Sequence, residues 1–123
     1  MKITIPSGKV LWPHEKHTIG ILFGAGYDIE VVKETGYRTA DIKLNGIEYE
    51  IKSPETNKTS SLEQLIRKAL KQSPNIIIDA YRMKMRDDVA RKYLIKKCRE
   101  QKQIKRMIYI SKKGEIIDIL KHV

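Results

Sequence analysis

The sequence predicts an α/β (α+β) domain: a central mixed β-sheet flanked by helices, in the order α-β-β-β-α-β-α-β-β. Three observations predict it. Segments with helical apolar spacing alternate with short strand-like runs. Asn45-Gly46 lies between two runs of alternating apolar and charged residues, the pattern of a hairpin with a two-residue turn. The segment NIIIDAY, 75–81, is short and almost wholly apolar, as strands buried on both faces are. The 123 residues make one domain, with its core at about 13–119.

The elements follow in order. Residues before Pro13 read as an irregular or short extended lead-in. Pro13 suits the first position of a helix, PHEKHTIGILFGAG, with Ile19, Leu22 and Phe23 inward and Gly24 and Gly26 closing it. YDIEVVKE reads as a strand and leads into the hairpin, 39–53. Pro54 through Thr59 is a polar loop. Ser60 and Glu63 have the spacing of a capping box at the start of a second helix, whose inward stripe is Leu62, Leu65, Ile66, Ala69 and Leu70. Ser73-Pro74-Asn75 ends that helix, which can cross over to the strand NIIIDAY. Asp87 or Asp88 caps a third helix, DDVARKYLIKKCREQ, with Ala90, Tyr93, Leu94 and Cys98 inward. IKRMIYIS and EIIDIL close the chain as two strands joined through Lys112, Lys113 and Gly114.

Composition narrows the function. No run of about 18 apolar residues offers a membrane span, and MKITIPSGKV has no signal-peptide core. The lone Cys98 has no partner for an internal disulfide. Twenty-five Lys and Arg against fifteen Asp and Glu give a net charge of +10. That excess favours a polyanionic partner, with nucleic acid ahead of an anionic membrane because no basic face is paired with a Trp- or Phe-rich one.

The hairpin carries the chemistry. A turn at Asn45-Gly46 sets Leu44 opposite Ile47, Lys43 opposite Glu48, Ile42 opposite Tyr49 and Asp41 opposite Glu50. Directly opposed like charges destabilise a sheet, whereas Lys43 with Glu48 is an ordinary ion pair. Lys52 lies diagonal to Asp41 on the same face. Two carboxylates and an ammonium therefore converge at the end away from the turn. They make either a solvated ionic cluster or a site. Two carboxylates with water and a phosphate suit a divalent cation, and a neighbouring lysine can orient the attacking water or neutralise transition-state charge. The chemistry would be metal-assisted phosphodiester hydrolysis.

Asp41, eight residues, then Glu50-Ile51-Lys52 resembles the D–x(n)–E–x–K signature of PD-(D/E)xK nucleases, and the order of elements around it is similar to that fold. Ala40 stands where the signature often has Pro. More widely, PHEKHTIGILFGAGYDIEVV, TADIKLNGIEYEIKSP, LIRKALKQSPNIIIDAY and IKRMIYISKKGEIIDI are similar, in order, to the C-terminal toxin domains of contact-dependent growth-inhibition (CdiA-type) proteins, in the branch of tRNA nucleases. The resemblance implies a PD-(D/E)xK-like fold, cleavage of tRNA and a cognate immunity protein. It implies delivery as the tail of a larger secreted or cell-surface toxin, with action in the target-cell cytoplasm. Asp41 and Glu50 would hold Mg2+, with Mn2+ or Zn2+ as alternatives, and Lys52 would position or activate the nucleophile.

Other residues join this reading. Glu15, one turn before Ile19, matches the first-helix glutamate of such sites; it also suits the positive end of the helix dipole. Gln72, in the segment that the resemblance places beside the active site, could hold water, phosphate or a base. Arg67, Lys68 and Lys71 on the second helix and Lys92 and Lys96 within the basic run of the third are candidate phosphate contacts. Tyr37 beside Arg38 could stack on an unpaired base. His14 and His17, three apart with no cysteine partners, make a weak metal pair. RNA offers a metal-free route as well, in which its 2′-hydroxyl attacks and leaves a cyclic phosphate. Rival readings are a DNase or DNA-resolving enzyme of the same superfamily, and a non-catalytic RNA- or protein-binding module.

Overall fold

The computed structural model describes residues 2–33 and 39–123; Tyr37 and Arg38 lie outside the described residues. The elements are β1 (Ile3–Thr4), α1 (Pro13–Gly24), β2 (Ile29–Val31), β3 (Ile42–Leu44), β4 (Ile47–Lys52), α2 (Thr59–Ala69), β5 (Asn75–Asp79), α3 (Asp87–Glu100), β6 (Arg106–Ile110), β7 (Ile116–Asp118) and a short 3-10 helix (Ile119–His122). The α-β-β-β-α-β-α-β-β order holds from α1 onward. The lead-in adds β1, which lies parallel to β2.

The seven strands form one sheet in chain order, β1 to β7. β2, β3 and β4 are antiparallel, β4, β5 and β6 are parallel, and β7 returns antiparallel to β6. The three parallel steps, β1 to β2, β4 to β5 and β5 to β6, need crossovers, and α1, α2 and α3 supply them. The sheet divides two apolar layers. On one face, Ile19 and Leu22 of α1 pack with Ile42, Leu44, Tyr49, Ile51 and Ile77. On the other, Leu62 and Ile66 of α2 and Ala90, Leu94 and Cys98 of α3 pack with Ile76, Ile78, Met107 and Tyr109. Each face of β5 meets a helix layer, which is why the strand is wholly buried and its middle, Ile76, Ile77 and Ile78, is apolar. Cys98 sits inside the second layer, and burial pushes its thiol up to about 11, leaving it unreactive.

The hairpin has the expected register: Leu44 pairs with Ile47, Lys43 with Glu48 and Ile42 with Tyr49. Asn45 and Gly46 have φ of 49° and 85°, the left-handed pair that a tight hairpin turn requires. Two predicted caps do not form. α2 starts at Thr59 with no side-chain cap. Glu63 instead reaches Lys97 on α3 at 3.3 Å, because a helix-to-helix charge pair is open to it once the first turn is solvated. Asp87 lies inside α3 rather than before it; its carboxylate accepts from Tyr109 Oη at 2.6 Å and from Lys112 N at 3.2 Å, tying α3 to the end of β6.

Candidate active site

Glu50 and Lys52 lie beside Ile76 and Ile78 in the parallel ladder, so their side chains share the α2–α3 face of the sheet. Asp41 joins them by a local departure from the ladder. Its N–H and Ile42 are both set against Tyr49, Asp41 N donating to Tyr49 O at 3.0 Å. Two residues facing one make a β-bulge, a device that re-aims a side chain at the end of a strand. The predicted one-to-one opposition of Asp41 and Glu50 is corrected in this respect: regular pairing stops at Ile42. The carboxylates still meet. Asp41 Oδ2 accepts from the N–H of Ile51 at 2.7 Å, which holds its carboxylate beside the backbone of Glu50.

Glu50 is the unusual member. It is buried, and Lys52 Nζ lies 3.4 Å from its Oε2. Its Oε1 is buried with no hydrogen-bond partner among the described residues. Burial first, then the charge of Asp41 and a hydrogen bond between the two carboxyls, push Glu50 up to about 8 against the opposing pull of Lys52. Among the described residues no group of three or more His, Cys, Asp or Glu gathers as a metal cage. The residues that are present fit a different kind of metal site. An orphaned carboxylate oxygen, a second carboxylate fixed by a backbone N–H and an opening to solvent at Lys52 are the few protein ligands that magnesium takes, with water filling its shell.

The structure does not bring Glu15 or Gln72 into this cluster. Glu15 sits on α1, across the sheet from Glu50, and its Oε1 accepts from Trp12 N at 2.9 Å, closing the first turn of its own helix. The apolar stripe that turns Glu15 inward turns it toward the opposite face. Gln72 is exposed in the turn after α2, where its N–H donates to Ala69 O. It precedes the start of β5, whereas Lys52 stands at the level of Ile78 near the end of that strand. Asn75 and Ser73 of this segment hold the carbonyl of Glu48 instead, at 2.9 and 3.4 Å. The basic candidates are exposed but spread. Arg67 and Lys71 line a groove of about 760 Å³ with Lys102 and Lys105 at the leading edge of β5 and β6. Lys92 and Lys96 line another, of about 920 Å³, along α3. Lys68 is exposed near the end of α2, next to Arg67, and Lys71 lies in the turn beyond the helix.

One constellation escapes the sequence. Asp79, fully buried on the α1 face, accepts from Thr18 Oγ1 at 2.5 Å and from Tyr81 N at 3.0 Å, and its Oδ2 lies 2.9 Å from His17 Nδ1. The only signal was an acid closing an apolar run, since a buried carboxylate requires donors. Its helical partners stand some 60 residues earlier.

A seven-stranded mixed sheet with helices on both faces and a bulged Asp-Glu-Lys hairpin defines a small α+β domain. Comparison with known proteins names the family. The profile of the contact-dependent growth inhibition CdiA C-terminal domain matches residues 38–116, and the chain belongs to that family. The fold is also that of a solved structure from Burkholderia pseudomallei, described as a CdiA-CT/CdiI toxin and immunity complex. The match has a TM-score of 0.77 at 15% identity and covers 96% of this chain and 98% of the other. No curated protein matches the sequence. Among the described residues no helix is long and apolar enough to cross a membrane.

Proposed function

We propose that this CdiA C-terminal domain is a toxin nuclease that hydrolyses phosphodiester bonds, with tRNA as its substrate. The observation that carries the reading is the buried, unpartnered Oε1 of Glu50 beside Asp41 and Lys52. A buried carboxylate oxygen with no partner costs stability, and a ligand bound there would account for it. A divalent cation at Asp41 and Glu50, Mg2+ first and Mn2+ or Zn2+ as alternatives, would supply Lewis-acid polarisation of the phosphate and a water of lowered pKa. The chain's own residues do the rest. The N–H of Ile51 fixes the Asp41 carboxylate. The apolar layer around Glu50 keeps bulk water from its carboxyl. The Lys52 ammonium, part-exposed beside Glu50, would offset the charge that a phosphate oxygen gains in the transition state. The net charge of +10 and the exposed bases of α2 and α3 serve the polyanion.

A second reading rests on Glu50 being pushed up to about 8. A protonated Glu50 as acid and Asp41 as base would support attack by the 2′-hydroxyl of RNA, leaving a 2′,3′-cyclic phosphate. The family context supports delivery as part of a larger toxin with action in the target-cell cytoplasm, and a cognate immunity protein like that of the Burkholderia complex. The test is expression in a susceptible cell, wild type beside Glu50→Ala, followed by gel analysis of RNA, with purified domain on total tRNA and on plasmid. Cleaved tRNA with the wild type alone supports the reading. Plasmid cleavage in its place makes the domain a DNase, and intact nucleic acid throughout overturns the nuclease. Activity surviving EDTA with a cyclic phosphate product selects the second route.

A further inference from the structure

We infer that His17 and Tyr81 form a subsite for an unpaired nucleotide, on the α1 side of the edge where β4 and β5 end. It deepens the proposed action on RNA and rests on that reading for the identity of its ligand. The two rings stack with centroids 3.9 Å apart and 23° between their planes. Tyr81 nevertheless remains 59% exposed. With one face against His17, that exposure leaves the rest of the residue to solvent, and the phenol ring can offer a flat apolar surface of the size of a base. Every base has a π-face, and stacking on aromatic side chains is how proteins hold single strands without reading sequence.

The pair is built rather than incidental. Asp79 is fully buried, and its two oxygens anchor both residues: Oδ2 meets the ring Nδ1 of His17, and Oδ1 accepts the backbone N–H of Tyr81, which fixes the chain from which the phenol ring projects. A carboxylate at Nδ1 fixes the proton there and leaves Nε2 at the outer edge of the ring. His17 is part-exposed, and Nε2 has no partner among the described residues. Attaching α1 to the sheet does not require this histidine, because Thr18 already donates to the same carboxylate from a fully buried position. What His17 adds is a fixed ring behind Tyr81 and an outward nitrogen able to bond a phosphate or a base edge.

The position suits a strand on its way to Lys52. β4 ends at Lys52, which pairs with Ile78, so Asp79 is the next residue along the neighbouring strand. Arg82 bridges the two exits, donating to Ser53 O at 2.7 Å and to Glu55 at 3.1 Å, which sets Tyr81 at the same edge as Lys52. The two sites lie on opposite faces of the sheet, so the subsite would hold a neighbouring nucleotide and not the scissile phosphate. No rearrangement of the fold is required.

The experiment is fluorescence anisotropy with a labelled 2′-O-methyl RNA hexamer, which resists 2′-hydroxyl attack, and with the duplex of the same sequence, in EDTA. Wild type should bind the single strand in preference to the duplex. Tyr81→Ala should weaken single-strand binding about tenfold, a size that follows from stacking, and Tyr81→Phe by less than twofold. His17→Gln should fall between them, and duplex binding should stay within twofold throughout. Circular dichroism of each variant should match the wild type, as Tyr81 is exposed. No measurable single-strand binding by the wild type, equal binding by Tyr81→Ala, or equal losses for Ala and Phe would each overturn the subsite. Cleavage of tRNA is scored separately: Tyr81-dependent binding without cleavage keeps the subsite and removes the nuclease, and cleavage without it does the reverse.

Discussion

Glu50 and Asp79 are buried carboxylates on adjacent parallel strands, and the chain treats them in opposite ways. Asp79 is surrounded by donors: a hydroxyl, a backbone N–H and an imidazole. Glu50 has one oxygen near Lys52 at 3.4 Å and one with no partner among the described residues, and it faces another carboxylate. A buried charge is tolerated when it is paired and hydrogen-bonded. Asp79 meets that condition within the protein, so it joins α1 to β5. Glu50 has only Lys52 against it and a second carboxylate beside it, so its acidity falls and, in the function proposed above, a cation completes the site. The contrast is between a carboxylate satisfied within the protein and one that is not.

The largest effect expected follows from this. Glu50→Gln keeps the shape and removes the charge. It should lower phosphodiester cleavage about a thousandfold, within the range for loss of an acid–base or electrostatic group, while leaving the urea unfolding midpoint at neutral pH unchanged or raised. Asp79→Ala should show the reverse balance on stability. It takes the acceptor from the Tyr81 N–H, leaves the Thr18 hydroxyl only the His14 carbonyl of its own helix at 3.1 Å and releases His17, at a cost of about 1–3 kcal/mol in urea unfolding. A loss of that size from Glu50→Gln, or none from Asp79→Ala, would break the distinction between the two carboxylates.

The two regions were also unequally legible. The Asp41–Glu50–Lys52 convergence lies within 12 residues of chain and is set by a turn and a period of two, so the hairpin arithmetic reached it. The bulge at Asp41 did not show, because nothing in TADIK marks an extra residue against Tyr49. The order of strands and helices followed from apolar spacing. The face on which α1 packs did not, since the stripe of Ile19 and Leu22 says that the helix is buried and not against which side of the sheet. Glu15 was misplaced for that reason. The Asp79 cluster is tertiary: His17 and Thr18 reach it only because α1 lies over the end of β5.

Acidity offers a sharper test. Glu50 is pushed up to about 8 in the folded protein from 4.5. A raised carboxyl contributes stability that is complete below the unfolded value and is lost as pH rises through the folded one. Between pH 4.5 and about 8, unfolding free energy should therefore fall by up to about 1.4 kcal/mol per pH unit. Glu50→Gln should flatten that slope. Magnesium should flatten it too in the wild type, because a cation at the two carboxylates takes the place of the proton. A slope that is the same in wild type and Glu50→Gln would assign the pH dependence to other groups.

The smallest effect is expected at Lys52. Its ammonium is the one group that acts against the rise at Glu50, yet it is part-exposed and screened by water. Lys52→Gln should change stability at pH 5 by only about 0–1 kcal/mol. At that pH the folded-state Glu50 carries its proton with or without the lysine, so little charge pairing is lost. The midpoint of the pH-dependent fall should nevertheless move above 8, since the remaining influences, burial and Asp41, all raise Glu50. Unfolding curves collected from pH 5 to 10 measure both quantities on one variant. A large loss at pH 5 with no movement of the midpoint would make Lys52 a packing residue, and the pair with Glu50 would then belong with Asp79 as structure.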